Sequence, residues 1–234
     1  MDSVGRKTEQ AMDDDIRDIS LRCFGYGRWS APYWFIGPEQ GQAPEENDDL
    51  KPRVKAWLEI GGGELTDCRE FHPLIGEKRW HRERPKLQST WRPLLLLLMT
   101  YLGKSTDNDT LRDYQRDKWG RLDGETCVIE LSGLAAHNFT VPRDRESFKQ
   151  ERIAVIRERI QQHSPELVVM YGNSEIGHWT KIAGKTFPKE NIIRLSSRIL
   201  ACAPHPTSYG MKNEYWTSLG ATLRKSVVAM PQGV

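Results

Sequence analysis

Two segments of this chain hold a side chain that can move a proton or stabilise charge within a stiff loop. Glu39 lies in the segment GPEQG, directly after the apolar run 33–36, where glycine and proline bring the backbone close to a ligand. His205 lies between two prolines at the end of a second apolar run, 199–203. Because proline fixes its own φ and restricts the residue before it, His205 is held more rigidly than most loop histidines. A carboxylate and an imidazole can act in general acid–base chemistry, although Glu39 taken alone fits a solvated loop residue better.

Short apolar runs alternate with helical patterns, and these elements must position the two loops. We expect strands at 33–36, 126–131, 167–171, 192–195 and 199–203. We expect helices from Pro93, over 144–163, near Ser174 and from Asn213, with a polar connection before the strand at 126 and no clear pattern over 51–90. This alternation predicts an α/β layered fold with a largely parallel sheet. Ligands bind at the carboxyl ends of such strands, which directs attention to 37–41, the segment after 131, and 204–210.

Length and charge limit the possible domain organisation and the possible binding partners. The 234 residues suit a single domain over 30–234 behind an acidic leader or capping helix at 1–29. Residues 1–50 carry 5 Lys/Arg and 11 Asp/Glu, a net charge of −6, whereas the rest carry 29 and 21, a net charge of +8. A basic body of this kind suits a polyanionic partner, although many proteins with this balance bind no nucleic acid. The longest apolar run, 94–99, is too short to span a bilayer, so we expect a cytoplasmic protein without membrane contact.

Cysteine and histidine spacing predicts neither a metal site nor disulfides. Cys23, Cys68, Cys127 and Cys202 are widely separated and form no C-x-x-C pair, which favours buried free thiols. The histidines outside the second loop have no ligand-like spacing; they are His72, His81, His137, His163 and His178.

The ordered segments resemble the uracil-DNA glycosylase superfamily. The first motif of that superfamily reads G-Q-D-P-Y-H or G-x-N-P-G, and GPEQG at 37–41 is similar, with an acid at the third position. The second motif reads H-P-S-P-L-S, and HPTSYG at 205–210 resembles it. Between them, the segment 164–184 is similar to the strand, glycine and helix that precede the second motif. The resemblance covers roughly residues 30–225 and implies a three-layer sandwich, with a central, largely parallel four- or five-stranded sheet flanked by helices.

What the resemblance implies is hydrolysis of the bond between a base and its deoxyribose, after the nucleotide has been flipped out of the DNA. Glu39 would orient water and stabilise the cationic sugar, and His205 would donate a hydrogen bond to the departing base. No lysine stands at the motif positions, so a monofunctional glycosylase without lyase activity is expected. The four-cysteine pattern of the iron-sulfur branch is missing, so we expect no cofactor. The resemblance also implies a monomer that acts on double- or single-stranded DNA.

The same resemblance predicts which residues contact the base and which contact the DNA strand. Base contacts are assigned to Gly37, Pro38, Gln40, Glu130 and Asn138. DNA contacts are assigned to Asn173, Thr207, Ser208, Tyr209 and Lys212. Tyr209 follows His205 by four residues, where an aromatic wedge would hold the duplex open, and an ordinary packed aromatic is the alternative.

Glu130 is the residue from which the sequence predicts the identity of the base. An ionised carboxylate only accepts hydrogen bonds, and cytosine offers an amino donor, which favours a cytosine-like base. Since cleavage of ordinary cytosine would destroy the genome of the host, we expect a modified cytosine, such as a hydroxymethylated or glucosylated cytosine of phage DNA, and a role in antiviral defence. Uracil or another deaminated base, in DNA repair, is the next choice. Alternatively, Glu130 pairs with an arginine.

Two other classes of function remain compatible with the sequence. One is a catalytically silent DNA-binding module on the same fold. The other is a hydrolase of free nucleosides or nucleotides, which would show little salt-dependent affinity for DNA.

Overall fold

A single mixed sheet forms the centre of the computed structural model, which describes residues 14–39, 51–133 and 145–228. Within these ranges the strands are β1 (Gly25–Tyr26), β2 (Tyr33–Glu39), β3 (Leu65–Thr66), β4 (Thr126–Ser132), β5 (Leu167–Tyr171), β6 (Ile192–Arg194) and β7 (Ile199–Ala203). Their order across the sheet is β3-β1-β4-β2-β5-β7-β6. The central strands β4, β2, β5 and β7 run parallel, whereas β1 and β6 run antiparallel to β4 and β7.

The predicted α/β class and the five predicted strands are confirmed, but the predicted sheet of four or five strands is wrong. The sheet has seven strands in the described ranges and is mixed. The two additional strands, β1 and β3, have only two residues each. Two residues are too few for an alternating apolar pattern, so only pairing in the folded chain identifies them as strands.

Helices cover both faces of the sheet. They are α1 (14–22), α2 (Lys51–Glu59), α3 (Cys68–Leu74), α4 (Trp91–Leu102), α5 (Asn108–Asp117), α6 (Arg145–His163), α7 (Ile176–Ala183) and α8 (Asn213–Val228), with short 3-10 turns at Lys78–Trp80 and Asn173–Glu175. Helices α4, α6, α7 and α8 confirm the expected helical segments. The polar connection before β4 is instead helical: Asp107 caps α5 by accepting from the amides of Asp109 and Thr110, and Leu111 is buried.

Alternate residues of the central strands face two separate apolar cores. Phe35 and Val169 lie in one core with leucines of α4, and Trp34 and Met170 lie in the other with Ile156 of α6. Strands buried on both faces are expected where helices cover a parallel sheet on both sides. The fold therefore leaves the strand ends, rather than the faces, open to a ligand.

The amino-terminal segment joins the same sheet. Ile19 of α1 is buried, and β1 pairs with β4, so the predicted boundary between residues 29 and 30 falls between two strands of one sheet. Residues 1–13 of the predicted leader lie outside the described residues. Over the ranges that the structure describes, no helix is both long and apolar enough to cross a membrane.

Candidate active site

Four parallel strands bring the predicted loops to one edge of the sheet. The register pairs Gly37 of β2 with Glu130 of β4, and Tyr171 of β5 with Ala203 of β7. Residues 37–39 belong to β2, so the expectation that they form a loop is wrong. They and Glu130 lie near the carboxyl ends of β2 and β4, and the Gly172 turn and His205 follow β5 and β7. This is the edge at which α/β sheets bind ligands.

Glu130 is packed against Gly37 and Tyr171. A Cβ placed on Gly37 would overlap both Glu130 Oε2 and the hydroxyl of Tyr171, so only glycine fits at position 37. Burial, together with the neighbouring charge of Glu39, raises the pKa of the Glu130 carboxyl to about 8. The carboxyl group is consequently protonated at neutral pH, and it offers one donor and one acceptor.

The structure contradicts the alternative in which the Glu130 carboxyl pairs with an arginine. Among the described residues, Glu130 Oε2 is buried without a hydrogen-bond partner, and no ion pair involves this carboxyl. Arg152 donates from Nη2 to the backbone oxygen of Glu130 at 2.7 Å instead. A buried polar atom without a partner is uncommon in folded proteins, and a ligand or a water molecule at the strand ends would satisfy it.

A small cavity adjoins Glu130. Its volume is about 20 Å³, and its lining includes Tyr26, Arg53, Phe71 and Ser132. This space accommodates a water molecule and is too small for a nucleobase. The Arg53 guanidinium lies over the Phe71 ring at 5.6 Å.

His205 is neutral and presents one ring N–H. Partial burial lowers the pKa of His205 below its usual value. The backbone N–H of Thr207 donates to His205 Nδ1 at 3.3 Å, and the Thr207 hydroxyl lies 2.9 Å from the same nitrogen. Because Nδ1 accepts, the ring proton is assigned to Nε2, which becomes a hydrogen-bond donor. The ring packs edge-on against Tyr171, with centroids 5.6 Å apart.

Glu39 and His205 lie at the ends of two strands that a third strand separates. One strand, β5, separates β2 from β7, so their ends are about 10 Å apart, two strand spacings. Gly172 follows β5 with φ 99°, a conformation that favours glycine. Pro38 packs 3.5 Å from the position that a Cβ of Gly172 would occupy.

The remaining predicted contact residues are exposed or lie outside the described residues. Asn173, Thr207, Ser208, Tyr209 and Lys212 are all exposed. Because the Tyr209 side chain is fully exposed, the packed-aromatic alternative is wrong. Gln40 and Asn138 lie outside the described residues.

Sequence reasoning missed Tyr171, Arg53, Phe71 and Ser132 as neighbours of Glu130. Tyr171 is the last residue of a predicted strand, directly before Gly172, and that position signals a side chain at the ligand-binding edge. Arg53 and Phe71 lie in helices of the stretch without a clear pattern, so the sequence contained no equivalent signal for them.

A second group of titratable side chains includes His72, the residue after Phe71 on α3. Cys68, His72 and His81 converge in the core, which contradicts the expectation that these histidines have no ligand-like arrangement. Burial lowers the pKa of His72 well below its usual range and that of His81 to about 4, and raises the pKa of the Cys68 thiol. These are the described residues best suited to hold a metal ion.

Sequence comparison matches this chain to no protein-family model and to no curated protein.

Proposed function

We propose that this chain is a monofunctional DNA glycosylase with a uracil-DNA glycosylase-like three-layer fold. The observation that carries the proposal is the placement of Glu39 and a neutral His205, with its proton on Nε2, at the carboxyl ends of two parallel strands that one strand separates. The protonated carboxyl of Glu130, whose Oε2 has no hydrogen-bond partner among the described residues, lies at the same sheet edge and supports a polar contact to a base.

The proposed reaction breaks the bond between C1′ of the sugar and the base nitrogen. Negative charge then develops on the base, and the His205 N–H stabilises it by a hydrogen bond aimed at a base oxygen. Positive charge develops on the sugar, which the Glu39 carboxylate stabilises. A water molecule oriented by Glu39 bonds to C1′ and transfers its proton to this carboxylate, leaving an abasic site.

The protonation of Glu130 changes the argument about the base. A neutral carboxyl group can donate to N3 and accept from the amino group of cytosine, and it can equally donate to O4 and accept from N3–H of uracil. Glu130 therefore fits the polar edge of either pyrimidine, and its charge does not select cytosine. We retain a modified cytosine, in defence against phage, as the first choice because cleavage of ordinary cytosine would harm the host, and uracil in repair as the second.

Base release from a panel of DNAs tests the proposal. The panel contains uracil, hypoxanthine, cytosine, and hydroxymethylated or glucosylated cytosine, in single and double strands, with abasic sites detected by strand cleavage. We expect release from one substrate and its loss in Glu39→Ala and His205→Ala. Glu166→Ala and His163→Ala are matched controls at the opposite end of the sheet, where β5 begins, and they should retain activity.

The outcomes separate the classes of function. DNA binding without base release from any substrate would contradict the enzyme and favour the silent binding module. Release from free nucleosides, without salt-dependent DNA affinity, would favour the nucleoside hydrolase.

A further inference from the structure

Three ligand-type atoms meet inside the core at Cys68, His72 and His81. Cys68 Sγ lies 3.6 Å from His72 Nδ1 and 3.7 Å from His81 Nε2, and the two nitrogens are 2.8 Å apart. All three residues are buried. Cys68 and His72 are one turn apart on α3, and His81 directly follows the 3-10 turn Lys78–Trp80, so the fold brings the third atom to the first two.

These separations agree with tetrahedral coordination of zinc. Bonds of about 2.3 Å to sulfur and about 2.0 Å to nitrogen place sulfur about 3.6 Å from each nitrogen, and the nitrogens about 3.3 Å apart. Both sulfur–nitrogen separations already have these values. The two nitrogens need to move apart by only about 0.5 Å to accept an ion between them.

The surroundings of the trio are aromatic and hold the rings in place. Trp91 stacks on His72 with ring centroids 5.4 Å apart and an interplanar angle of 16°, and Tyr26 packs edge-on at 5.1 Å. Asp67 is not a fourth ligand: its Oδ1 accepts from the Arg69 amide, and its Oδ2 accepts from Arg121. Burying two imidazoles and a thiol in such a setting costs solvation that one N···N hydrogen bond restores only in part.

We propose that Cys68, His72 and His81 bind a structural Zn²⁺ ion, a site independent of the proposed glycosylase activity. Binding transfers the Cys68 thiol proton to solvent, and the ion accepts electron pairs from Sγ and from the two nitrogens. A thiolate and two imidazoles form a donor set that suits Zn²⁺. Within the parts of the chain that the structure describes, no fourth Cys, His, Asp or Glu joins the trio, so water completes the tetrahedron.

The ion would connect α3 to the segment after Lys78–Trp80. Phe71, which lines the cavity beside Glu130, directly precedes His72 on α3. Fixing His72 therefore fixes one wall of the small cavity beside Glu130. The role is structural, since none of the three ligands lines that cavity.

Metal content of the full chain tests the site directly. The protein is produced without a polyhistidine tag, dialysed, and analysed for zinc by mass spectrometry. We expect about one zinc ion per chain, falling at least about tenfold in Cys68→Ser and in His81→Ala. Cys127→Ser, which changes a buried cysteine of β4, is the matched control and should keep its zinc.

A cobalt titration keeps the proposal falsifiable if a variant fails to fold. Wild-type apoprotein given Co²⁺ should develop the visible absorption of a tetrahedral thiolate site, and one equivalent of Zn²⁺ should remove it. A folded wild-type protein that contains no zinc, and neither absorbs with Co²⁺ nor rises in Tm with Zn²⁺, would overturn the proposal. The trio would then be a metal-free hydrogen-bonded cluster. Zinc content that is unchanged in Cys68→Ser would equally overturn it.

Discussion

Glu130 shows how the environment of a single residue determines its chemistry. Its carboxyl is shielded from solvent, contacts Gly37 and Tyr171, and has a pKa raised to about 8 by burial. At neutral pH the residue therefore acts as a neutral donor and acceptor. Its amide analogue, glutamine, offers the same pattern of one donor and one acceptor edge without titrating.

We expect the pH profile of base release to depend on Glu130. Activity should fall as pH rises through about 8, because the ionised carboxylate loses its donor. Glu130→Gln should retain activity and abolish this alkaline fall, whereas Glu130→Ala should lose at least about tenfold in base release, the loss of one hydrogen bond of about 1.4 kcal/mol. Single-turnover release between pH 6 and about 9.5 measures this. An alkaline fall that persists in Glu130→Gln would assign it to another group.

The free energy of unfolding should also depend on the ionisation of Glu130. Its pKa in the folded chain, about 8, exceeds the usual 4.5, so its favourable contribution is complete below pH 4.5 and is lost as pH rises through 8. The free energy of unfolding should fall across this window by up to about 1.4 kcal/mol per pH unit from this group. Urea denaturation at several pH values should show a smaller fall for Glu130→Gln. Identical pH slopes for the two proteins would contradict the buried, protonated state.

Gly37 offers a steric test of the same contact. Gly37→Ala should destabilise the fold by about 1–3 kcal/mol, because the new methyl overlaps Glu130 and Tyr171. Gly177→Ala is the matched control, since a Cβ there meets no atom within 4 Å and alanine favours helix α7. Chemical denaturation measures both. Equal stability of Gly37→Ala and wild type would show that the carboxyl is not packed against this glycine.

At the level of secondary-structure elements, one buried cation connects the end of β4 to α1 and to Cys23, which lies between α1 and β1. Arg152 of α6 is fully buried and donates to the backbone oxygens of Ser20, Cys23, Glu130 and Leu131 at 2.7–3.1 Å. Burial lowers the pKa of Arg152 to about 10, so it stays charged at neutral pH. This guanidinium thus supports the strand end from which the Glu130 side chain projects.

We expect Arg152→Met to destabilise the fold by about 3 kcal/mol or more, because four buried carbonyl oxygens lose their donor. Arg157→Met, an exposed position on the same helix, should change stability by less than about 0.5 kcal/mol. Thermal and urea unfolding of the two variants measure these changes in stability. Comparable stability of both variants would mean that water replaces the guanidinium.

At the scale of the whole molecule, the charge distribution bears on DNA binding. Residues 51–234 have a net charge of +8, and Lys212 is exposed beyond the His205 loop. Phosphate contacts release counterions, so affinity for DNA should fall steeply with salt.

A salt titration of DNA affinity tests this distribution. Lys212→Ala should reduce the slope of log K against log salt by about 0.9, the value for one phosphate contact. Lys104→Ala is the control, because Lys104 pairs with Glu125 at the opposite end of β4. Fluorescence anisotropy at several salt concentrations, with a labelled duplex, provides the slopes. Equal slopes for wild type and Lys212→Ala would remove this lysine from the interface.

The α/β class, the five longer strands, four of the helices and the loop that carries His205 were predictable from the sequence alone, whereas Glu39 was expected in a loop and lies at the end of β2. These features were predictable because runs of apolar residues report burial along a local segment, and because proline and glycine restrict the backbone wherever they occur. The arrival of the two segments at one sheet edge also followed, since parallel strands share their carboxyl ends.

Three features could be identified only in the folded structure. They are the protonation of Glu130, the four carbonyl contacts of Arg152 and the proximity of His81 to Cys68. Each depends on contacts between segments that no local pattern connects, such as α6 with α1. The strands β1 and β3 were hidden for the same reason, because two residues become a strand only through a partner. A pKa depends on the solvent and charges around a group, and these are set by the packed fold rather than by the neighbouring residues in the chain.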